Sequence, residues 1–168
     1  MWVGRGADVE AKGYQNRTPV FGAKSAEMVR LVVKEGGAKV NVLNMGSRSP
    51  LSVSTFQKVA VVEALLDEGA LVKFGERSPL VYAASCGWME ALQVLLARRG
   101  FMRVIEWKDE GFNATARELA VQEGHDAMVG LLDDALVLAK VCVFPLLLSS
   151  CVVWLCDWGL CDSCVTHV

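Results

Sequence analysis

Two pairs of residues recur along this chain at nearly the same interval, and a fixed period of this length constrains a fold more than any other sequence signal. Thr or Ser followed by Pro stands at Thr18-Pro19, Ser49-Pro50 and Ser78-Pro79, with Thr115-Ala116 as a fourth copy, so the second residues are 31, 29 and 37 positions apart. Gly-Ala stands at Gly6-Ala7, Gly37-Ala38 and Gly69-Ala70, with Gly100-Phe101 as a degenerate fourth copy, at intervals of 31, 32 and 31. Each stretch between markers reads as two short helices. A hydroxyl residue supplies an N-cap and the proline fits the first helical turn, where no intrahelical N–H is needed. In the third stretch Leu80, Ala83 and Ala84 share a helical face, Gly87 marks a turn, and Ala91, Leu92, Val94, Leu95 and Leu96 form the apolar stripe of a second helix. Val61, Val62, Leu65 and Leu66 make the matching stripe in the second stretch, and Met28, Val29, Leu31 and Val32 in the first. Helices this short are not stable alone, so such hairpins must bury their apolar faces against one another.

These residues resemble the ankyrin repeat, a unit of about 33 residues that opens T-P-L-H-x-A. The nearest stretches are Gly6-Ala7-Asp8-Val9 leading to Thr18-Pro19, and Ser78-Pro79-Leu80-Val81-Tyr82-Ala83-Ala84 with Gly87. Glu118-Leu119-Ala120, Gly124-His125 and Val129-Gly130-Leu131-Leu132 match a closing unit. The resemblance implies an all-α fold: an ankyrin-type solenoid of about four helix–turn–helix repeats over residues 4–135, followed by a hydrophobic, Cys-rich tail over 136–168. The family's opening His is absent, with Phe21, Ser52, Val81 and Glu118 in its place, which implies a less rigid array than the consensus.

The resemblance also implies a function. It predicts a non-enzymatic protein–protein interaction module, a scaffold that holds another protein on its loop tips and on the concave face of its helices. The first tip carries Lys12, Tyr14, Gln15 and Arg17, the second Leu43, Met45 and Arg48, and the third Phe74, Glu76 and Arg77. The fourth carries Trp107, Lys108 and Asp109, and Ser85, Cys86 and Trp88 fall on the concave side. Tyr, Trp, Arg and Met are enriched at interface centres.

Composition narrows the alternatives. Lys plus Arg is 17 against 19 for Asp plus Glu, a net charge of −2, so no basic excess drives nucleic-acid binding. No cofactor is expected, since neither a Gly-rich phosphate loop nor a metalloprotease motif occurs. The only histidines are His125, in a turn, and His167. The N-terminus has no apolar run of signal-peptide length, which points to a cytoplasmic chain with reduced thiols and makes the sequons at Asn16 and Asn113 incidental.

The tail offers two further readings. Between Ala135 and Cys156 the only charge is Lys140, so residues 136–156 suggest a membrane-anchored adaptor with Lys140 near one interface and Trp154 and Trp158 near the other. The competing expectation has Leu136, Leu138 and Val141 cover the last repeat as an apolar cap. Cys156, Cys161 and Cys164 carry the spacing of iron–sulfur ligands, with Cys151 or His167 able to complete a zinc site, which makes a metal-binding protein the third reading.

Overall fold

Local capping chemistry sets where the helices begin. The structure, a computed structural model, describes residues 8–55, 58–98, 100–101 and 104–143. Among them are seven α-helices: α1 Ala26–Arg30, α2 Pro50–Ser54, α3 Val59–Asp67, α4 Pro79–Ser85, α5 Met89–Ala97, α6 Ala116–Gln122 and α7 Asp126–Val143. The side chains of Ser25, Ser49, Ser78 and Thr115 accept backbone N–H groups of α1, α2, α4 and α6. At α6 the cap is reciprocal: the Glu118 N–H donates to Thr115 Oγ1 at 3.2 Å, and the Thr115 N–H donates to Glu118 Oε2 at 2.8 Å. Two of the four N–H groups orphaned at a helix start are satisfied this way.

The pieces are unequal. The segment after Thr18 is only a 3₁₀ turn, Pro19–Gly22, and the buried Thr18 hydroxyl has no hydrogen-bond partner among the described residues. Helix α1 passes after five residues into a π-type turn, Leu31–Glu35, whose wider winding rotates the side chains that follow. Val29 in α1 and Val32 in the turn are buried, whereas Met28 faces solvent. At the other end α7 runs for 18 residues.

Helices that are not neighbours in sequence pack directly. α1 lies on α3 and α3 on α5, α2 lies on α4 and α4 on α6, and α6 packs against α7. One continuous apolar core results, from Val20 to Ala135, with Val62, Val81, Ala83, Leu92, Leu95, Phe101 and Leu132 wholly shielded from water. This is a compact all-α bundle, and it corrects the expected linear ankyrin-type solenoid. The Thr/Ser-Pro and Gly-Ala markers fix helix starts and turns. They do not make the segments equivalent, and the long-range contacts gather them around one core. The repeat-protein resemblance and the concave helical face it implied are withdrawn with it.

Ion pairs decorate the surface. Arg98 meets Asp67 at 2.7 Å, Lys34 meets Glu68 at 3.2 Å, and Arg117 grips Asp133 through both carboxylate oxygens. The Glu68 side chain is largely buried, whereas Arg98–Asp67 and Arg117–Asp133 are exposed pairs, which contribute little, so burial dominates stability. Leu92→Ala, which opens a cavity at a fully buried position, is expected to cost about 2–5 kcal/mol. A urea midpoint within error of the parent would place Leu92 outside the cooperative core.

The α6–α7 hairpin adds a pH dependence. Its hydrogen bond to Arg117 holds Asp133 below the usual carboxylate range, and the Thr115 backbone N–H does the same for Glu118. Carboxylates lowered in the fold lend stability that is present at neutral pH and is lost as pH falls through their lowered values. Melting temperature should therefore drop on acidification through that range, and a Glu118→Gln, Asp133→Asn double variant should show a shallower drop. Parallel curves for parent and variant would count against these two groups.

Candidate functional site

The loops between helix pairs lie side by side along one edge, and each is held by its own turn chemistry. In the first, Gln15 and Asn16 adopt left-handed backbone (φ 58° and 56°), closed by Gly13 N–H donating to Arg17 O at 2.9 Å. In the second, Asn44 Oδ1 accepts the N–H groups of Gly46 and Arg48 at 2.9 and 3.1 Å, and Ser47 is left-handed at φ 52°. Side-chain carbonyls that cap their own turns in this way let Asn tolerate tight backbone. The two loops are joined by Met45 N–H donating to Gln15 O at 2.9 Å.

The third loop joins the second through Glu76 N–H to Ser47 O at 3.2 Å. Gly75 permits this approach: its φ is 88°, and a Cβ there would fall 2.5 Å from Ser47 O. The fourth loop is organised by Asp109, whose side chain is fully buried. Its carboxylate accepts Ser78 N–H at 2.7 Å, Gly111 N–H at 2.8 Å and Phe112 N–H at 3.1 Å, and pairs with Arg77 Nη1 at 3.1 Å. The Arg77 guanidinium lies across Gly111, where a Cβ would come within 0.8 Å of Nη1. Next to it Phe112 meets the Tyr82 ring edge-on at 5.5 Å, and the Arg48 guanidinium lies 5.3 Å from the centre of that ring. Burial raises the Tyr82 phenol above its ordinary value, although Arg48 and Arg77 pull the other way.

This geometry divides the expected contact residues. Lys12, Tyr14, Gln15, Arg17, Met45, Glu76 and Lys108 are exposed, with Tyr14 at 86% and Met45 at 74%. Leu43 is open as well. Arg77 is spent on Asp109, and Arg48 is half-buried over Tyr82. Phe74 is half-buried, and Trp107 is half-buried with Lys73 Nζ 5.5 Å from its ring centre. Ser85 donates its hydroxyl to Tyr82 O at 3.0 Å, and Trp88 stands at the start of α5. The four tips therefore do not act as one surface. The third and fourth are tied to each other, and although Leu71 and Phe112 are also partly open there, the most exposed large side chains, Tyr14 and Met45, stand on the first two. Asp109, expected as a contact residue of the fourth tip, is instead buried and organises the loops. Its signal was the turn-forming run Asp109-Glu110-Gly111-Phe112-Asn113.

Cys86 is exposed, with Ser85 Oγ at 3.7 Å, and the His125 ring packs against Gly87. Among the described residues no three His, Cys, Asp or Glu side chains are grouped to hold a metal, and the cysteines of the metal-binding reading lie outside those residues. The 136–156 segment of the membrane-anchor reading lies outside the described residues beyond position 143. No described helix is long and apolar enough to cross a bilayer, and α7, which enters the 136–156 segment, carries Asp126, Asp133, Asp134 and Lys140. Cys151, Cys156, Cys161, Cys164, His167, Trp154 and Trp158 lie outside the described residues. No family model matches the sequence, and no curated protein matches it.

Replacing Asp109 by Ala would leave Arg77 and three N–H groups without their acceptor. Breaking a buried pair on one side costs about 3–5 kcal/mol, a large share of the roughly 5–15 kcal/mol that holds a domain together. Chemical denaturation of Asp109→Ala should show that loss, and an unchanged midpoint would refute the organising role.

Proposed function

We propose that this chain is a non-enzymatic protein that binds another protein on the two-loop edge formed by residues 12–17 and 43–48. The observation that carries the reading is the pairing of Tyr14 and Met45. Both are large and largely exposed, and they stand on loops tied by one backbone hydrogen bond. Large apolar side chains held on ordered backbone are what interface anchors require, because little freedom is left to lose on binding. Tyr supplies a rigid amphipathic surface, and Met adapts its shape to irregular partners.

A photo-reactive amino acid placed at Tyr14 or Met45 of the full chain, in cells, should yield a discrete protein adduct. The same group at Glu123, beyond α6, should not. Tyr14→Asp should abolish the adduct formed from position 45 while leaving the far-ultraviolet circular dichroism and the melting temperature unchanged. Equal labelling from all three positions, or none from 14 and 45, would sink the proposal.

A further inference from the structure

The charges around this edge are sorted by sign. Residues 11–26 contain Lys12, Arg17 and Lys24 and no acid, and residues 36–55 contain Lys39 and Arg48 and no acid, in a chain whose net charge is −2. Lys12 and Arg17 are exposed on either side of Tyr14, and Arg48 closes the loop that carries Met45. Among the described residues none of these three cations has a carboxylate partner. The nearby acids lie at the margin. Glu10 accepts the Lys39 N–H at 2.7 Å, Asp8 accepts the Glu10 N–H at 2.9 Å, and Glu76 stands on the third loop. Other acids lie elsewhere, with Glu27 and Glu35 on and after α1, Glu63, Asp67 and Glu68 on and just after α3, and Glu118, Glu123, Asp126, Asp133 and Asp134 around α6 and α7, where Arg117 pairs with Asp133.

From this charge complementarity, and resting on the binding role proposed above, we infer that the edge receives an acidic peptide segment carrying an apolar side chain. The apolar side chain lies against Tyr14, Met45 and Leu43, while flanking carboxylates face the exposed Lys12 and Arg17. Three features fit such a ligand. The cations bracket the exposed apolar side chains instead of mixing with acids. The loop backbone is already fixed by the Gly13–Arg17 and Asn44–Arg48 hydrogen bonds, so the site is ordered before the ligand arrives. Rim charges of one sign steer encounter with a partner of the opposite sign and make binding salt-dependent.

The test is selection of a random peptide display library on the full-length chain, followed by synthesis and anisotropy titration of the enriched peptides. Enriched peptides should carry net negative charge around at least one aliphatic or aromatic residue. Raising ionic strength from about 0.01 M to about 0.1 M shortens the screening length from about 30 Å to about 10 Å and should weaken binding severalfold. A Lys12→Glu, Arg17→Glu variant changes only exposed side chains, so it should keep its fold by circular dichroism. It should bind these peptides about tenfold more weakly, as two lost surface pairs imply. Peptides that need Tyr14 and Met45 but show no acidic bias, or that ignore the charge reversal, overturn this inference and leave the site standing. Peptides insensitive to Tyr14→Asp and Met45→Asp, or a library that enriches nothing, overturn the site and the inference together. Sedimentation equilibrium covers the remaining occupant: self-association abolished by the charge reversal would assign the edge to the acidic α6–α7 end of a second copy, and would also overturn the inference.

Discussion

A single carboxylate holds the loop edge to the helices. Asp109 is fully buried, and it takes hydrogen bonds from the first residue of the α4 cap, from Arg77 before it, and from two amides of its own turn. A buried charge of this kind costs several kcal/mol in lost hydration and persists only when its lone pairs are met. Here they are met from two segments about thirty residues apart in sequence. The loop carrying Phe112 is thereby fixed over Tyr82, Arg48 is stacked on the same ring, and the second, third and fourth loops are set in register. That registration leaves Tyr14 and Met45 as the outermost large side chains of the edge.

What could be read in the chain was local. Ser49-Pro50, Ser78-Pro79 and Thr115 with Glu118 announce helix starts because a cap is decided within four residues. The stripes at Val61, Val62 and Leu65, and at Ala91, Leu92 and Leu95, reported burial because helical spacing gathers them on one face. Met28, expected in the first stripe, faces solvent on the five-residue α1, and nothing in the structure explains the difference.

What failed was the step from pieces to assembly. A regular period suggested equivalent units in a line, yet it carries no information on how far each helix runs or which helix it meets. The first segment never becomes a full α-helix, whereas α7 extends for 18 residues, and the cross-packing that joins them depends on residues about thirty apart. Asp109 was expected at an open tip for a similar reason: its partner Arg77 lies in another loop, and an acid in a polar turn looks like a solvated one. Phe74 and Trp107 were expected at the surface because loops are, but aromatic side chains in adjoining loops pack where they can.

The shortness of the helices near the N-terminal side has a further consequence. Between Tyr14 and Ser54 the backbone is organised by 3₁₀ turns, two five-residue helices and a π-type turn, so few amides there are protected by uninterrupted helix. Local opening is easiest in such regions and becomes progressively rarer toward long, well-packed elements. The edge that carries Tyr14 and Met45 therefore adjoins helices whose amides are held in short hydrogen-bonded runs. Anything that binds this edge in its closed form suppresses those openings by mass action. Occupancy would be written into the hydrogen-exchange pattern of α1 and α2, well before it altered the average shape of the molecule.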